Sequence, residues 1–262
     1  MYDAEKDDIR TLYEMQERTG DERTMSPKQQ VSMSARHGRD RRPLTTERVI
    51  HGAVSLADEI GISALTIRKL ADAIGVKPMT IYHHVANKEA IIDGMVNQVF
   101  SEIDLPPTDV DWRSAILVRS HSMRQVLAKH PWASPLMESR TTPGAAILRH
   151  HDAVLGCFRT AGFSLEATAH AYAIIDAFLY GFALQEATLP ATGGPTMAEI
   201  ATQIARQMSD GYPHLAEFTT GHVLQPGYDF GNEFHFGLDL ILDGIERTTE
   251  LGRSVASTAS LR

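Results

Sequence analysis

Only one cysteine, Cys157, occurs in 262 residues. An internal disulfide is therefore excluded, and the chain fits a reducing compartment. No uninterrupted apolar run approaches the ~18 residues that would suggest a membrane span, so no membrane partner is expected. The opening MYDAEKDDIR is polar and acidic, unlike a secretory signal. Catalytic signatures are missing as well: there is no G-x-S-x-G, P-loop, H-E-x-x-H or glycine-rich dinucleotide loop. Cys157 sits beside Phe158 in a helical pattern and reads as core, and His150-His151-Asp152 matches no catalytic spacing. There is no internal repeat and no long strand-like alternation. These absences predict a cytoplasmic, all-α protein that is not an enzyme, needs no cofactor and holds no metal.

Apolar residues make up 43% of the chain, enough for a substantial core. The net charge of −8 is unevenly spread. Residues 36–90 carry nine Lys or Arg against six Asp or Glu, whereas residues 91–262 carry eleven against nineteen. A basic island in an acidic chain marks where a polyanion would be met. Residues 1–42 read as a flexible leader that ends in the basic run Arg36–Arg42, beside the motif described below.

From Leu44 the pattern turns helical. Val49, Ile50, Ala53, Leu56, Ala57 and Ile60 share one face, with Thr45 or Thr46 as cap and Gly61 as stop. A second helix runs from Thr66 to Gly75 with Leu70, Ala71 and Ile74 inward. Val76–Val85 is long enough for two turns and has Pro78 in the first. Asn87 caps a helix from Lys88 to about Phe100. Pro106-Pro107 follows as a boundary. Helices are then expected over Trp112–Lys129, Trp132–Ser139, Ala145–Ala161, Ser164–Thr188, Met197–Met208 and Tyr228–Thr249. Pro213–Pro226 is expected to be loop with at most one turn, and the chain is expected to fray from Gly252. The expected organisation is a leader at 1–42, a helix-turn-helix domain at 43–92, a ligand-binding and dimerisation domain at 93–248 and a tail at 249–262.

Three short helices with a glycine between the second and third make a helix-turn-helix candidate. The stretch Leu65-Thr66-Ile67-Arg68-Lys69-Leu70-Ala71-Asp72-Ala73-Ile74-Gly75-Val76, with Thr80-Ile81-Tyr82-His83-His84-Val85-Ala86-Asn87-Lys88-Glu89-Ala90-Ile91, closely resembles the DNA-binding domain of the TetR family. Trp112-Arg113, Ala161–Glu166, Gly181 and Phe236–Glu246 resemble the C-terminal domain of its tetracycline repressor subgroup. The resemblance implies a homodimeric repressor of a palindromic double-stranded DNA operator. It also implies Arg68 as a reader of guanine, Thr66 and Thr80 as hydroxyl contacts, Tyr82 and His84 on the backbone and Lys88 as a phosphate clamp. Lys77 and Met79 face the groove by position. Pro78 and Met79 depart from the tetracycline repressor, which has Gln and Pro there. Read singly, Tyr82 could instead pack on the first helix.

The same resemblance implies a small-molecule effector whose binding changes the spacing of the two recognition helices. Candidate cavity residues are Arg119, Met123, Trp132, Met137, Phe158, Tyr172, Asp176, Phe178, Phe182 and Gln185. Each also has a plain reading as core or surface. Tetracycline is not the expected effector. The histidine that holds its magnesium falls on Met137, a poor ligand for that ion. The drug-contacting Asn, Gln, His and Glu fall on Arg119, Val154, Ala177 and Gln185. Arg119, if inward, would suit an acidic ligand; Asp176 would suit a cation or pair with a neighbour. Dimerisation is expected through helices 164–188 and 228–248. There Ala167, Ala169, Ala171, Ala173 and Gly181 would allow close approach, and Phe234, Leu238, Ile241 and Ile245 would supply apolar area. The alternative is a ligand-binding adaptor that does not bind an operator.

Overall fold

The computed structural model describes residues 43–137, 142–189, 199, 202 and 211–259, with backbone alone for 249–259. The leader at 1–42 lies outside them, and so does nearly all of the expected helix Met197–Met208. The described residues are helices and their connections, with no strand among them.

Helix α1 (Thr46–Ile60) starts where the Thr45 hydroxyl oxygen accepts from the Arg48 amide at 3.2 Å. It buries Val49, Ile50, Ala53, Val54, Leu56 and Ala57, the apolar face visible in the sequence. After a tight turn at Ile62–Ala64, α2 (Ile67–Ile74) is capped by Thr66, whose Oγ1 accepts from the Lys69 amide at 3.2 Å. It stops at Gly75, whose φ of 73° a side chain would strain. Helix α3 (Pro78–Ile81) is a single turn rather than two, continued by the turn Tyr82–His84. Helix α4 (Lys88–Glu102) is capped by Asn87 and runs two residues past Phe100.

Two glycines set the spacing of this unit. A Cβ on Gly52 would lie 2.4 Å from Ile74 Cγ2, and one on Gly94 would lie 2.5 Å from Ile50 Cδ1. Hence α1 can press closely on both α2 and α4, which are its neighbours.

The remaining helices are α5 (Trp112–Lys129), α6 (Ser134–Met137), α7 (Ala145–Thr160), α8 (Leu165–Thr188), α9 (Pro213–Phe218) and α10 (Asn232–Ala259). Helix α8 is central, with α5, α6, α7 and α10 all packed on it, while α4 lies on α7. Arg113, at the start of α5, reaches Asp243 at 2.7 Å, Asp239 at 3.4 Å and Glu246 at 3.6 Å, three acids on one face of α10. Such partly exposed pairs contribute about 0–1 kcal/mol each. The main stabilisation is apolar burial: Phe234, Leu238 and Leu242 of α10 are fully enclosed, each worth about 1.5–3 kcal/mol.

Four expectations need correction. The last helix begins at Asn232, because Tyr228–Gly231 is tied into a turn in which Asp229 Oδ1 accepts from the Gly231 amide at 2.8 Å. It passes Gly252 and ends at Ala259, since one glycine costs a helix only about 1 kcal/mol. Pro213–Pro226 contains α9 and a wide helical turn at Thr219–Val223 instead of loop. Phe234, Leu238 and Ile245 are buried inside the chain, as is Ala171, so they cannot supply free area to a partner. Among the described residues, the large apolar side chains left exposed on α8 and α10 are Leu165, Ile174, Leu184, Phe236 and Leu240. Among the described residues, α8 alone is long and apolar enough to cross a membrane by length and composition. Its apolar circumference has a use in the fold, since seven of its 24 residues are buried and Asp176 at its middle is ion-paired.

Candidate functional site

The first region of interest is the outward surface of α2 and α3. Leu70, Ala71 and Ile81 are buried against α1, and this orients the remaining side chains away from the protein. Arg68 and Lys77 are exposed, and so are Met79 at 70% and Tyr82 at 45%. Tyr82 is thus not packed into the core. Thr66 is exposed and Thr80 half-buried. His84 is half-buried, and its carbonyl accepts from the Thr46 hydroxyl at 2.9 Å, which fixes the end of this unit to the start of α1. Lys88 is exposed in the first turn of α4, where free amide groups also favour an anion. The eight residues expected to meet DNA therefore lie on or beside two short helices whose opposite sides are core.

The second region lies where α5, α7 and α8 meet. Arg119 is fully buried, and its Nε donates to His150 Nε2 at 3.1 Å. Its Nη1 lies 2.8 Å from Asp176 Oδ1, but off the line of a hydrogen bond. Burial pushes His150 down to about 3, with help from the Arg119 charge and from His151. The imidazole is therefore neutral, and because Nε2 accepts, its proton sits on Nδ1. Phe100, in the last turn of α4, has its ring 5.5 Å from His150 and 5.6 Å from His151. His151 is hydrogen-bonded through Nδ1 to the Tyr172 hydroxyl.

The ten expected cavity residues are not gathered in one place. Asp176 joins Arg119, and half-buried Tyr172 reaches the same group through His151. Half-buried Phe178 and buried Phe182 pack with Phe234, and the Arg124 guanidinium covers Phe182 at 5.2 Å and Phe234 at 4.8 Å while bridging to Glu186 at 2.6 Å. Phe158 packs at a tilt against Trp112 and Phe163. Trp132 donates from Nε1 to Asp58 Oδ1 at 2.6 Å. Met123 and Met137 are buried, and Gln185 is exposed. Among the described residues, no group of three or more His, Cys, Asp or Glu side chains could hold a metal ion.

Several connecting residues were not anticipated. His130, at the end of α5, faces Asp58 of α1 at 2.7 Å and Glu102 of α4 at 3.1 Å. Burial acts to raise the Glu102 carboxyl, but Lys129 and His130 beside it outweigh that and hold it below the usual range. Asn97 of α4 caps another helix: its Oδ1 accepts from the Ala146 amide at 2.9 Å, in the first turn of α7. Gly144 at that cap has no side chain, and a Cβ there would meet Asn97 Oδ1 at 2.1 Å. Through Phe100, Asn97 and Glu102, α4 thus touches the buried polar group, the start of α7 and the end of α5.

Comparison with known proteins agrees with this geometry. Residues 49–95 match the family model described as "Bacterial regulatory proteins, tetR family", and residues 105–249 match "Tetracyclin repressor-like, C-terminal domain". An HTH-type transcriptional regulator of Saccharopolyspora erythraea is 29% identical over 79% of this chain and 87% of its own. The class A tetracycline repressor from transposon 1721 of Escherichia coli is 34% identical over 53% of this chain and 65% of its own. Apo ActR from Streptomyces coelicolor has the same fold, with a TM-score of 0.67 at 20% identity over 80% of this chain and 99% of its own. With both of its helical regions matched, the chain belongs to the TetR family of DNA-binding transcriptional regulators and carries a C-terminal domain of the tetracycline repressor type.

Proposed function

We propose that this chain is a cytoplasmic repressor that binds a palindromic DNA operator as a homodimer and is released by a small-molecule effector. The observation that carries this reading is the outward face of α2 and α3, where Arg68, Lys77, Met79 and Tyr82 are exposed on helices anchored by buried Leu70 and Ile81. Arg68 reads a guanine through two parallel N–H bonds, worth about 1–3 kcal/mol against a wrong base. Thr66 and Thr80 offer hydroxyls to bases or phosphate, Tyr82 and His84 meet the sugar-phosphate backbone, and Lys88 holds a phosphate at the α4 N-terminus. Residues 43–92 act as the reading domain and 93–248 as the sensing and dimerising domain.

A homodimer is supported by the apolar side chains left exposed along α8 and α10: Ile174, Leu184, Phe236 and Leu240. On α8, Ala173, Ala177, Gly181 and Leu184 follow at four- and three-residue steps, which gives a face smooth enough for a second helix. A two-fold axis through this face presents two copies of α3 to successive major grooves, about 34–36 Å apart. The effector site lies among α5, α7 and α8, the region from which Phe100 and Asn97 lead to α4. In the same fold, ActR has been solved with actinorhodin bound. An effector that prefers the DNA-incompetent spacing by about 1–3 kcal/mol lowers operator affinity by the same factor. No catalytic role is assigned, and the relatives are named as transcriptional regulators.

The test is selection from a pool of random duplexes with the full chain. The expected result is an enriched inverted repeat. Recovery of no common sequence would overturn the repressor reading and leave the ligand-binding adaptor.

A further inference from the structure

We propose that Met79 is a thymine reader: its thioether end covers the 5-methyl group of one thymine in each half of the operator and sets a base preference that Arg68 does not. This rests on the DNA-binding reading above and adds a base to it.

The starting point is an apolar side chain with little of the protein over it. Between residues 43 and 102, every large apolar side chain is buried or packed against the core except Met79, which is 70% exposed, and Tyr82, which is 45% exposed. The backbone fixes where Met79 stands. Helix α3 begins with Pro78, whose ring restricts φ and suits this first turn to a helix. Ile81, two residues past Met79, is 0% exposed, and Val85 is buried as well. Positions two apart on a helix lie about 200° apart around its axis, so burying Ile81 turns Met79 to the opposite, outward side. Lys77 and His83, before and after it in the chain, are exposed and polar. Met79 is therefore an apolar point on a polar face.

The chemistry of duplex DNA leaves such a group one partner. Phosphates are charged, and the major-groove edges of the bases carry hydrogen-bond donors and acceptors, with the C5-methyl of thymine as the apolar exception. A thioether has no N–H or O–H to give and accepts only weakly, so it gains little from a polar edge. It is unbranched and polarisable, and it can mould itself over a methyl group. Pressing the two together takes both out of water, whereas cytosine in the same place presents no methyl to cover. Arg68 and Lys77 carry hydrogen-bond donors at their ends and cannot make this distinction. Tyr82 is less exposed and carries a hydroxyl that suits the sugar-phosphate backbone.

Fluorescence anisotropy with the full chain and the duplex recovered by selection tests this. Each thymine of one half-site is replaced in turn by uracil, which removes the methyl group and keeps every hydrogen bond. The wild type should lose about fourfold in affinity at one of these positions, the worth of one buried methyl group. Cytosine there should weaken binding, and 5-methylcytosine should recover about fourfold of that loss. Met79→Ala changes an exposed side chain to a better helix former, so it should melt no lower than the wild type. It should bind the thymine and uracil duplexes alike at that position. Met79→Gln keeps the length but ends in a polar amide, and it should be equally indifferent to the methyl. Three results would each overturn the proposal. They are a wild type indifferent to uracil at every position, a methyl effect that survives Met79→Ala wherever it occurs, and a selected duplex without thymine. An enriched inverted repeat on which uracil is neutral rejects the thymine reader alone, whereas recovery of no common sequence rejects the repressor reading together with it.

Discussion

Replacing Asn97 or Gly144 tests whether α4 and the sensing helices are joined as described. Asn97 Oδ1 accepts from the Ala146 amide at 2.9 Å, and Gly144, the residue before α7, supplies no cap of its own. Asn97→Ala deletes an N-cap interaction and should cost about 1 kcal/mol. Gly144→Ala places a methyl 2.1 Å from Asn97 Oδ1 and 2.5 Å from its Cγ, so the Asn97 side chain must leave and the same cap is lost. Alanine is itself a poorer N-cap than glycine, so this variant should cost about 1–2 kcal/mol. Once Asn97 is alanine, only its Cβ, 3.0 Å from the new methyl, remains to be accommodated. The double variant should therefore fall short of the summed single costs by about 1 kcal/mol, a coupling that independent sites do not show. Asn97→Asp keeps an acceptor at a helix N-terminus and should cost less than Asn97→Ala. Urea denaturation at one fixed protein concentration measures all four, because dimerisation makes stability depend on concentration. Additive losses, or an unperturbed Gly144→Ala, would refute the trans-cap.

Other outcomes follow from the same packing and electrostatics. Gly52→Ala improves helix propensity by about 1 kcal/mol. It also drives a methyl to 2.4 Å from Ile74 Cγ2, and overpacking of that kind costs about 1–3 kcal/mol, so thermal melting should show a net loss or no gain. Burial, together with nearby positive groups, holds His121 down to about 4 and His150 down to about 3. Both lie below the unfolded value of about 6.5, so the stability of their neutral forms is complete above pH 6.5. It is lost as pH falls, because the unfolded chain takes up protons that the folded chain refuses. The urea midpoint should decline from pH 6.5 to 5, above most carboxylate titrations, and His121→Phe should flatten that decline. An unchanged slope in the variant would reject the assignment.

Much of the architecture was legible in the sequence because the signals were local. Thr45, Thr66 and Asn87 each cap the helix that follows, and Gly61 and Gly75 end theirs. The resemblance also gathered Arg68, Lys77, Met79 and Tyr82 onto one unit, where the structure places them together on the outside. What could not be read was long-range pairing. Nothing in the sequence links Asn97 to Gly144, or Asp58 to His130 and Trp132. His150 did leave a trace: Ile147, His150, Val154 and Phe158 share one buried face of α7, so a histidine occupies an apolar position there. The α10 residues Phe234, Leu238 and Ile245 were assigned to a partner because periodicity identifies an apolar face but not what covers it.

The central claim is that α2 and α3 read DNA, and salt-dependent binding of two alanine variants to the selected duplex tests it most directly. Arg68→Ala should lose about 1–3 kcal/mol on that duplex and become indifferent to one base pair, while Lys88→Ala should weaken binding to every sequence and lower the salt slope by about 1. Unchanged affinity for Arg68→Ala, with base preference intact at every position, would contradict the account.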